Sequence, residues 1–360
     1  MRLVIDELNT DVHVIPDLHH WHQNIRTIRS MVNDNQQYCD KMLEMFKMST
    51  NPTVIFAGDI YHRETNGTDD GYKMSVFPRN VKQITKSRSF SVLGNHELSY
   101  RKNNVFWNIA EMKTDYISDR TRCADPLLYV TDELRVGRTL FIFGHSGIDF
   151  TSEIDTEGID DVYLITHNAI MENQILQYFK DKGRNINETF IGGRSLFTRG
   201  VLPLTSKLRG VYVGHLHTAH GKFQIEENVN GIDFNFFIQY LGSVGRTSAS
   251  EFTDDNSREI PIISVRDGRV IKVFDKTLNL IERKYAVKED VVEENKVNYK
   301  KQVRNREIRN TSISFEDGLT PSVLNYFEEM NLPEFSTLKM AVDNKMPDDI
   351  AIILNEYGVL

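Results

Sequence analysis

Groups of histidine, aspartate and asparagine recur along this sequence, each closing a short apolar run. VIPDLH ends at His19, VIFAGD at Asp59, SVLGNHE at Glu97 and VYVGHLH at His217, and His167 closes the run VYLIT. Carboxylates and imidazoles are the donors that suit first-row divalent ions such as Mn, Fe or Zn, and the absence of cysteine from these groups argues against a closed structural zinc site. Two such ions roughly 3.5–4 Å apart clamp a phosphate and supply the nucleophile for in-line attack on phosphorus. Asp59 is the candidate for the carboxylate that both ions share. In this chemistry His96, beside Asn95, protonates the leaving oxygen or stabilises charge on the phosphoryl group. Glu97 is expected to orient His96 by accepting its second N–H. An extended Asp-x-His places Asp17 and His19 on one face, because side chains alternate with period 2, and the same argument pairs His215 with His217. Gly58, Gly94 and Gly214 each immediately precede a member of these groups, where a residue without a Cβ permits close backbone approach.

Groups so far apart in sequence converge only if a scaffold gathers them, and the carboxyl ends of strands in an open α/β sheet do this. The expected strands are 12–16, 53–57, 89–93, 139–144, 162–166 and 211–213, with longer polar or amphipathic stretches between them, as in an α/β layer fold. Ile25, Ile28, Met31 and Val32 predict a helix over about 24–48, and Ile170, Gln174, Ile175 and Tyr178 predict another over about 169–181. After residue 220 two hairpins follow, turned at Asn230-Gly231 and Asp267-Gly268, and they are expected to complete a second sheet. Residues 281–312 are dense in charge and read as a linker. In the segment 313–360, Leu319, Val323, Phe327 and Met330 recur at helical spacing and predict a small partner-binding helical module.

Length and composition set the outer bounds. A chain of 360 residues with 40% hydrophobic and 26% charged residues is globular and large enough for more than one unit. Its two cysteines, Cys39 and Cys123, are too few for a disulfide framework and are expected to be reduced. The start MRLVIDELNT has no signal-like apolar run and no stretch approaches a membrane span, so a cytoplasmic protein with no membrane contact is expected. The net charge of −8 gives no general attraction for nucleic acid, so any such contact is local or completed by a partner.

Taken in order, the blocks DLH, GDIYHR, GNHE, THN and GHLH resemble those of the calcineurin-like metallophosphoesterase superfamily, over about residues 12–220. That resemblance implies a four-layer α/β/β/α sandwich over residues 1–280. It also implies Asp17, His19, Asp59 and His217 at one metal ion, and Asp59, Asn95, His167 and His215 at the other. His96 takes the catalytic histidine role, and Mn is the expected ion, with Fe, Zn and Mg the other candidates. Within the superfamily the chain is similar to SbcD-like nuclease subunits of DNA repair, including phage-encoded ones. The similarity rests on His62 after the GD block and on YLGSVGRTSASEF beyond the last hairpin. It implies a DNA exonuclease or endonuclease, catalytic participation of His62 and Glu97, and an SbcC-like coiled-coil ATPase as partner, with a homodimer also compatible. GNHE in place of the commoner GNHD, and Arg63, whose position is similar to the GDxxDR block of phosphoprotein phosphatases, favour the alternative of a phosphomonoesterase acting on a phosphoprotein or nucleotide. A catalytically silent scaffold is the other alternative, and the complete set of ligand types argues against it. Arg63 and His20 are the expected substrate contacts. His145, in FIFGHSG, competes with His167 for the lone ligand after a strand, and His167 is preferred because a helix follows it. His13, His22 and His220 are expected at the surface or behind the ligands.

Overall fold

The computed structural model describes residues 1–20, 29–61, 68–99, 106–114, 123, 125–147, 154–170, 172–181, 198–199, 205–217, 221–229, 231–244 and 257–279. The chain divides into two compact units, Met1–Lys288 and Glu289–Leu360, and every described residue lies in the first. The expected linker and helical module therefore lie outside the described residues, as do His22, His62, Arg63 and His220.

In chain order the elements are β1 (Arg2–Ile5), β2 (Thr10–Ile15), α1 (Arg29–Met48), β3 (Thr53–Phe56), α2 (Thr68–Thr85), β4 (Ser89–Ser91), α3 (Asn95–Ser99), α4 (Phe106–Ile109), β5 (Ala110–Lys113), β6 (Leu128–Thr131), β7 (Glu133–Val136) and β8 (Thr139–Gly144). There follow β9 (Asp161–Thr166), β10 (Ala169–Ile170), α5 (Asn173–Asp181), β11 (Thr198–Arg199), β12 (Leu208–Val213), β13 (Gly221–Val229), β14 (Ile232–Tyr240), β15 (Ser257–Arg266) and β16 (Arg269–Asn279). One seven-stranded sheet runs β16-β15-β2-β3-β4-β6-β5 and the other β1-β7-β8-β9-β12-β14-β13, with β10 and β11 forming a small separate pair.

The strands that lead to the candidate site are central and parallel: β2, β3 and β4 in one sheet, and β8, β9 and β12 in the other. Strands covered on both faces tend to read as continuous apolar runs, as in β3 and β9, although β2 and β4 also bury Thr10, Asp11, His13, Ser89 and Ser91. The pleat still sorts them. Val12, Val14, Ile55, Ala57, Phe90 and Val92 pack against Phe141, Phe143, Tyr163, Ile165 and Tyr212 in one buried cluster that takes side chains from both sheets. The alternate residues Ile15, Val54 and Phe56 pack with Tyr38, Met42 and Phe46 of α1 and with Phe77 and Val81 of α2. On the other sheet Leu140, Ile142, Leu164 and Val211 pack with Ile175 of α5. The expected four-layer α/β/β/α order is thus present, although the two late hairpins do not share a sheet. β13 and β14 extend the β8 sheet at its edge, while β15 pairs antiparallel with β2 of the other. Of the residues that suggested the first helix, Ile25 and Ile28 lie outside the described residues. Among the described residues no helix is long and apolar enough to cross a membrane.

His13 was expected at the surface or behind the ligands. It is instead wholly buried on the helix side of β2, edge-on to Phe46 with ring centroids 5.0 Å apart, and neither ring nitrogen has a hydrogen-bond partner among the described residues. Burial pushes the imidazole down from 6.5 to about 4, weakly opposed by Asp11. Below pH 6.5 the unfolded chain therefore takes up a proton that the folded chain refuses. Stability is full above about 6.5 and falls as the pH drops toward 4, by about 3 kcal/mol in all. Urea denaturation at pH 7 and pH 5 should show this loss, and His13→Leu should remove it; an equal pH dependence in both proteins would count against the assignment.

Candidate metal centre

The site is assembled where the parallel strands of both sheets end. Three of its residues leave those ends in the left-handed backbone region: His19 at φ 43°, Asp59 at φ 45° and His215 at φ 74°. Such values are uncommon for non-glycine residues and cluster at functional sites, where the surroundings hold them in place. The pleat expected for Asp-x-His is therefore not how Asp17 and His19 converge. β2 has ended at Ile15, Asp17 sits in an isolated bridge with Ser243, and the left-handed turn at His19 brings the ring round. The loops after β2 and β3 run side by side, with the N–H groups of His19 and His20 donating to the carbonyls of Asp59 and Ile60 at 2.9 and 2.6 Å.

Among the described residues three overlapping donor groups result, one of them His19, Asp59 and His96, and the other two matching the expected ion positions. In the first of these two, Asp17, His19 and His217 offer atoms all within 4.8 Å of one another, and the Nε2 atoms of the two histidines approach to 2.9 Å. In the second, Asp59, His167 and His215 meet the same limit. Asn95 joins the second group, its Oδ1 lying 3.1 Å from His167 Nε2 and 3.0 Å from His215 Nδ1. Asp59 lies between the two, with Oδ2 at 3.2 Å from His167 Nε2 and 3.9 Å from His19 Nε2. Asp17, His19, Asp59 and His167 are buried, whereas Asn95, His96, His215 and His217 are only partly so and form the rim.

Divalent ions fit this donor set on two further observations. Asp17 Oδ1 is buried without a hydrogen-bond partner among the described residues, an acceptor of the kind a cation takes. Backbone crowds the carboxylates as well: a Cβ on Gly94 would overlap Asp59 Oδ1, and one on Gly214 would stand 2.5 Å from Asp17 Oδ1.

Electrostatics agree. Burial raises the Asp17 carboxyl to about 7; the His167 charge opposes this and the Asp59 charge reinforces it. Burial likewise raises Asp59, but His167, His96 and His19 overcome it and hold the carboxyl well below its usual range. His167 is disfavoured as a cation by burial, yet Asp59 and Asp17 push it up to about 10. His215 falls to about 3, through burial and then the neighbouring His167 charge. Ligation by His167 Nε2 and Asp17 requires both groups deprotonated, so ion uptake expels protons and acid weakens it. Calorimetric titration with Mn(II) at pH 7 in buffers of different ionisation enthalpy should show net proton release, and affinity should fall as the pH drops from about 10, more steeply below about 7; buffer-independent heats would contradict this.

Other expected site residues are placed differently. His96 stands at the rim with Nε2 3.8 Å from Asp59 Oδ2, and its backbone N–H donates to Asp59 Oδ1 at 2.9 Å. Glu97 does not orient His96. Its buried carboxylate accepts the backbone N–H groups of Asp59 (3.0 Å), Ile60 (2.9 Å), Tyr61 (3.5 Å) and Gly94 (2.9 Å), which makes it a positioning residue that ties the two ligand loops together. Burial and the Asp59 charge push this carboxyl up to about 8, while the N–H donors favour its ionised form. His20, expected at the substrate, is buried. The turn at His19 directs it inward, where it is buried near Tyr61 and Phe77 and its Nδ1 lies 3.2 Å from Asn35 Oδ1. His145, the competitor of His167, belongs to neither donor group.

Ser243 was not singled out from sequence, although it lies in the YLGS stretch. Its N–H donates to the His217 carbonyl at 3.0 Å, and the next residue, Val244, donates to the Asp17 carbonyl at 2.8 Å. One short segment thus holds two members of the first donor group.

The model of a family described as calcineurin-like phosphoesterase matches residues 10–237. No curated protein is a significant match to the chain. Among solved structures, the chain is similar to a 5'-nucleotidase precursor from Thermus thermophilus (12% identity, TM-score 0.36, covering 83% of this chain and 59% of that one). It is also similar to the sulfate thiohydrolase SoxB of the same organism (10%, 0.34, 80% and 60%) and to a dimetal phosphatase from Danio rerio (12%, 0.36, 75% and 98%). The chain thus spans about three fifths of the length of the first two.

Proposed function

The chain belongs to the calcineurin-like phosphoesterase family, and from that premise we propose that it is a two-ion phosphodiesterase, the nuclease subunit of a DNA repair or recombination complex. The observation that carries the hydrolytic part is the approach of two donor groups to the one carboxylate of Asp59. Ions held by Asp17, His19, Asp59, Asn95, His167, His215 and His217, Mn being the proposed one, would supply Lewis-acid charge for a phosphoryl group and a nucleophile at neutral pH. The chain's own part is to hold Asp59 through the His96 and Glu97 contacts, and to present the His96 ring at the rim, where it protonates the leaving oxygen.

DNA as substrate is supported by the likeness of the ordered blocks and of the YLGSVGRTSASEF stretch to SbcD-like nucleases. His62 and Arg63, which follow the Asp59–Tyr61 turn in sequence, are the proposed further contacts to the strand. With a net charge of −8 the chain lacks a general pull on DNA, which favours a partner that helps to hold it. That partner is proposed to be a coiled-coil ATPase, docked by the segment 313–360 through Leu319, Val323, Phe327 and Met330.

The test is hydrolysis of an end-labelled single-stranded oligonucleotide compared with p-nitrophenyl phosphate, with and without Mn(II). Cleavage of the oligonucleotide that requires the ion is expected. Preference for the monoester would replace the nuclease reading with a phosphomonoesterase, and activity that survives exhaustive chelation would remove the ion-dependent reading altogether.

A further inference from the structure

The second donor group draws Asn95 from the loop after β4 and His167 from the loop after β9, which belong to different sheets. Nothing in either sheet's own ladder fixes the gap between them. The geometry points to His145 as the positioning residue that sets this gap and so builds the second ion position, an inference that rests on the two-ion reading above.

His145 follows β8, is buried, and turns its ring toward the other sheet. Its Nδ1 accepts the Leu93 N–H at 3.0 Å, and the Ser146 N–H donates to the Leu93 carbonyl at 2.8 Å, so the backbone two residues before Asn95 is held on both its polar atoms. The same short segment grips the other loop. Asn168, adjacent to His167, donates through Nδ2 to the His145 carbonyl at 2.7 Å and accepts the Gly147 N–H at 2.9 Å. The His167 N–H in turn donates to the Gly144 carbonyl at 2.9 Å. Residues 144–147 are therefore a spacer with one loop on each side, and the His145 side chain carries one of the two bonds that span to Leu93, the other coming from the Ser146 backbone N–H. Accepting at Nδ1 places the ring's proton on Nε2, which faces Asp132 Oδ1 at 3.7 Å. Of the two ring nitrogens, Nδ1 is the one that touches the ligand loop.

That division gives the experiment. His145→Asn keeps an acceptor near the Nδ1 position, whereas His145→Gln keeps a donor near the Nε2 position and takes the acceptor away from Leu93. Bound Mn(II) is counted in a titration of the full chain by the electron paramagnetic resonance signal of the free ion, with circular dichroism as the check on folding. Wild type and His145→Asn are expected to take up two ions with similar affinities. His145→Gln is expected to bind the first ion normally and the second roughly 10–100-fold more weakly, the usual effect of losing a group that orients a ligand. The inference is overturned if His145→Gln binds both ions as wild type does, if both ions weaken equally, if Asn behaves like Gln, or if His145→Gln fails to fold, which would assign the residue to the sandwich as a whole. A wild-type chain that takes up fewer than two ions would instead remove the two-ion reading itself.

Discussion

Asp59→Asn should empty both ion positions and reduce turnover by at least about 10³, a loss on the scale of removing a principal transition-state stabiliser. The carboxylate is the one group that faces both donor sets: Oδ2 lies 3.2 Å from His167 Nε2 and 3.9 Å from His19 Nε2. Asparagine preserves the shape and still accepts the His96 backbone N–H on its remaining oxygen. What it lacks is the negative charge among His167, His96 and His19 that two neighbouring cations need. His19→Ala, by contrast, removes a terminal imidazole and should lower activity only about 10–100-fold, with the second position still filled. Elemental analysis beside turnover of a phosphodiester separates these outcomes. Two ions retained in Asp59→Asn, with turnover near normal, would show that the ions do not share this carboxylate.

His96→Ala should leave both ions in place and reduce turnover by about 10²–10⁴, the range for a general acid or a charge-stabilising group. The bond that anchors Asp59 comes from the His96 backbone N–H, which alanine retains. The ring itself is 19% exposed at the rim, 3.8 Å from Asp59 Oδ2, and so faces the space a phosphoryl group would enter. Because His19, Asp59 and His96 also lie within 4.8 Å of one another, the alternative role of His96 is that of a ligand. Loss of an ion in His96→Ala would establish that role and remove the acid. Retained ions with a slowed rate, most severe for poor leaving groups, are the expected result.

The strand ends were legible in the sequence because several central strands buried on both faces are mostly apolar, as in Val54-Ile55-Phe56 and Leu164-Ile165, and because the donors follow them directly. β5 and β7 escaped: AEMK and ELRV are four residues each, half buried, with too little apolar content to register. α2 escaped because Gly71 and Pro78 lie inside it, two residues that helices disfavour and that tertiary packing has overridden. At the site the donor types were readable, but the left-handed turns at His19, Asp59 and His215 were not, since nothing in Asp-x-His or Gly-Asp announces a positive φ. The misplacement of His20 follows directly, because one such turn reverses the side to which the next residue points. Glu97 looked like a partner for His96 by adjacency, whereas three of the four backbone donors it serves come from a loop 36 to 38 residues away. His13 did carry a signal: it stands between Val12 and Val14 in a strand whose other members are all buried.

The order in which strands are exchanged between the sheets has a consequence for how the chain is made. β2 lies beside β3 on one side, but its other side stays open until β15 arrives, and Asp11 pairs with Ser264 only after 253 intervening steps along the chain. Every donor of both groups has been synthesised by His217, well before that edge is closed. During translation the nascent chain therefore carries a complete set of ion ligands on a sheet whose strand β2, buried along its whole length in the finished fold, is still unpaired on one side, the kind of surface that recruits other chains. Pairings of such long sequence separation also form slowly. A chain that stops shortly after His217 is thus expected to be an aggregating species rather than a smaller enzyme, and folding is completed by a hairpin that contributes nothing to the chemistry.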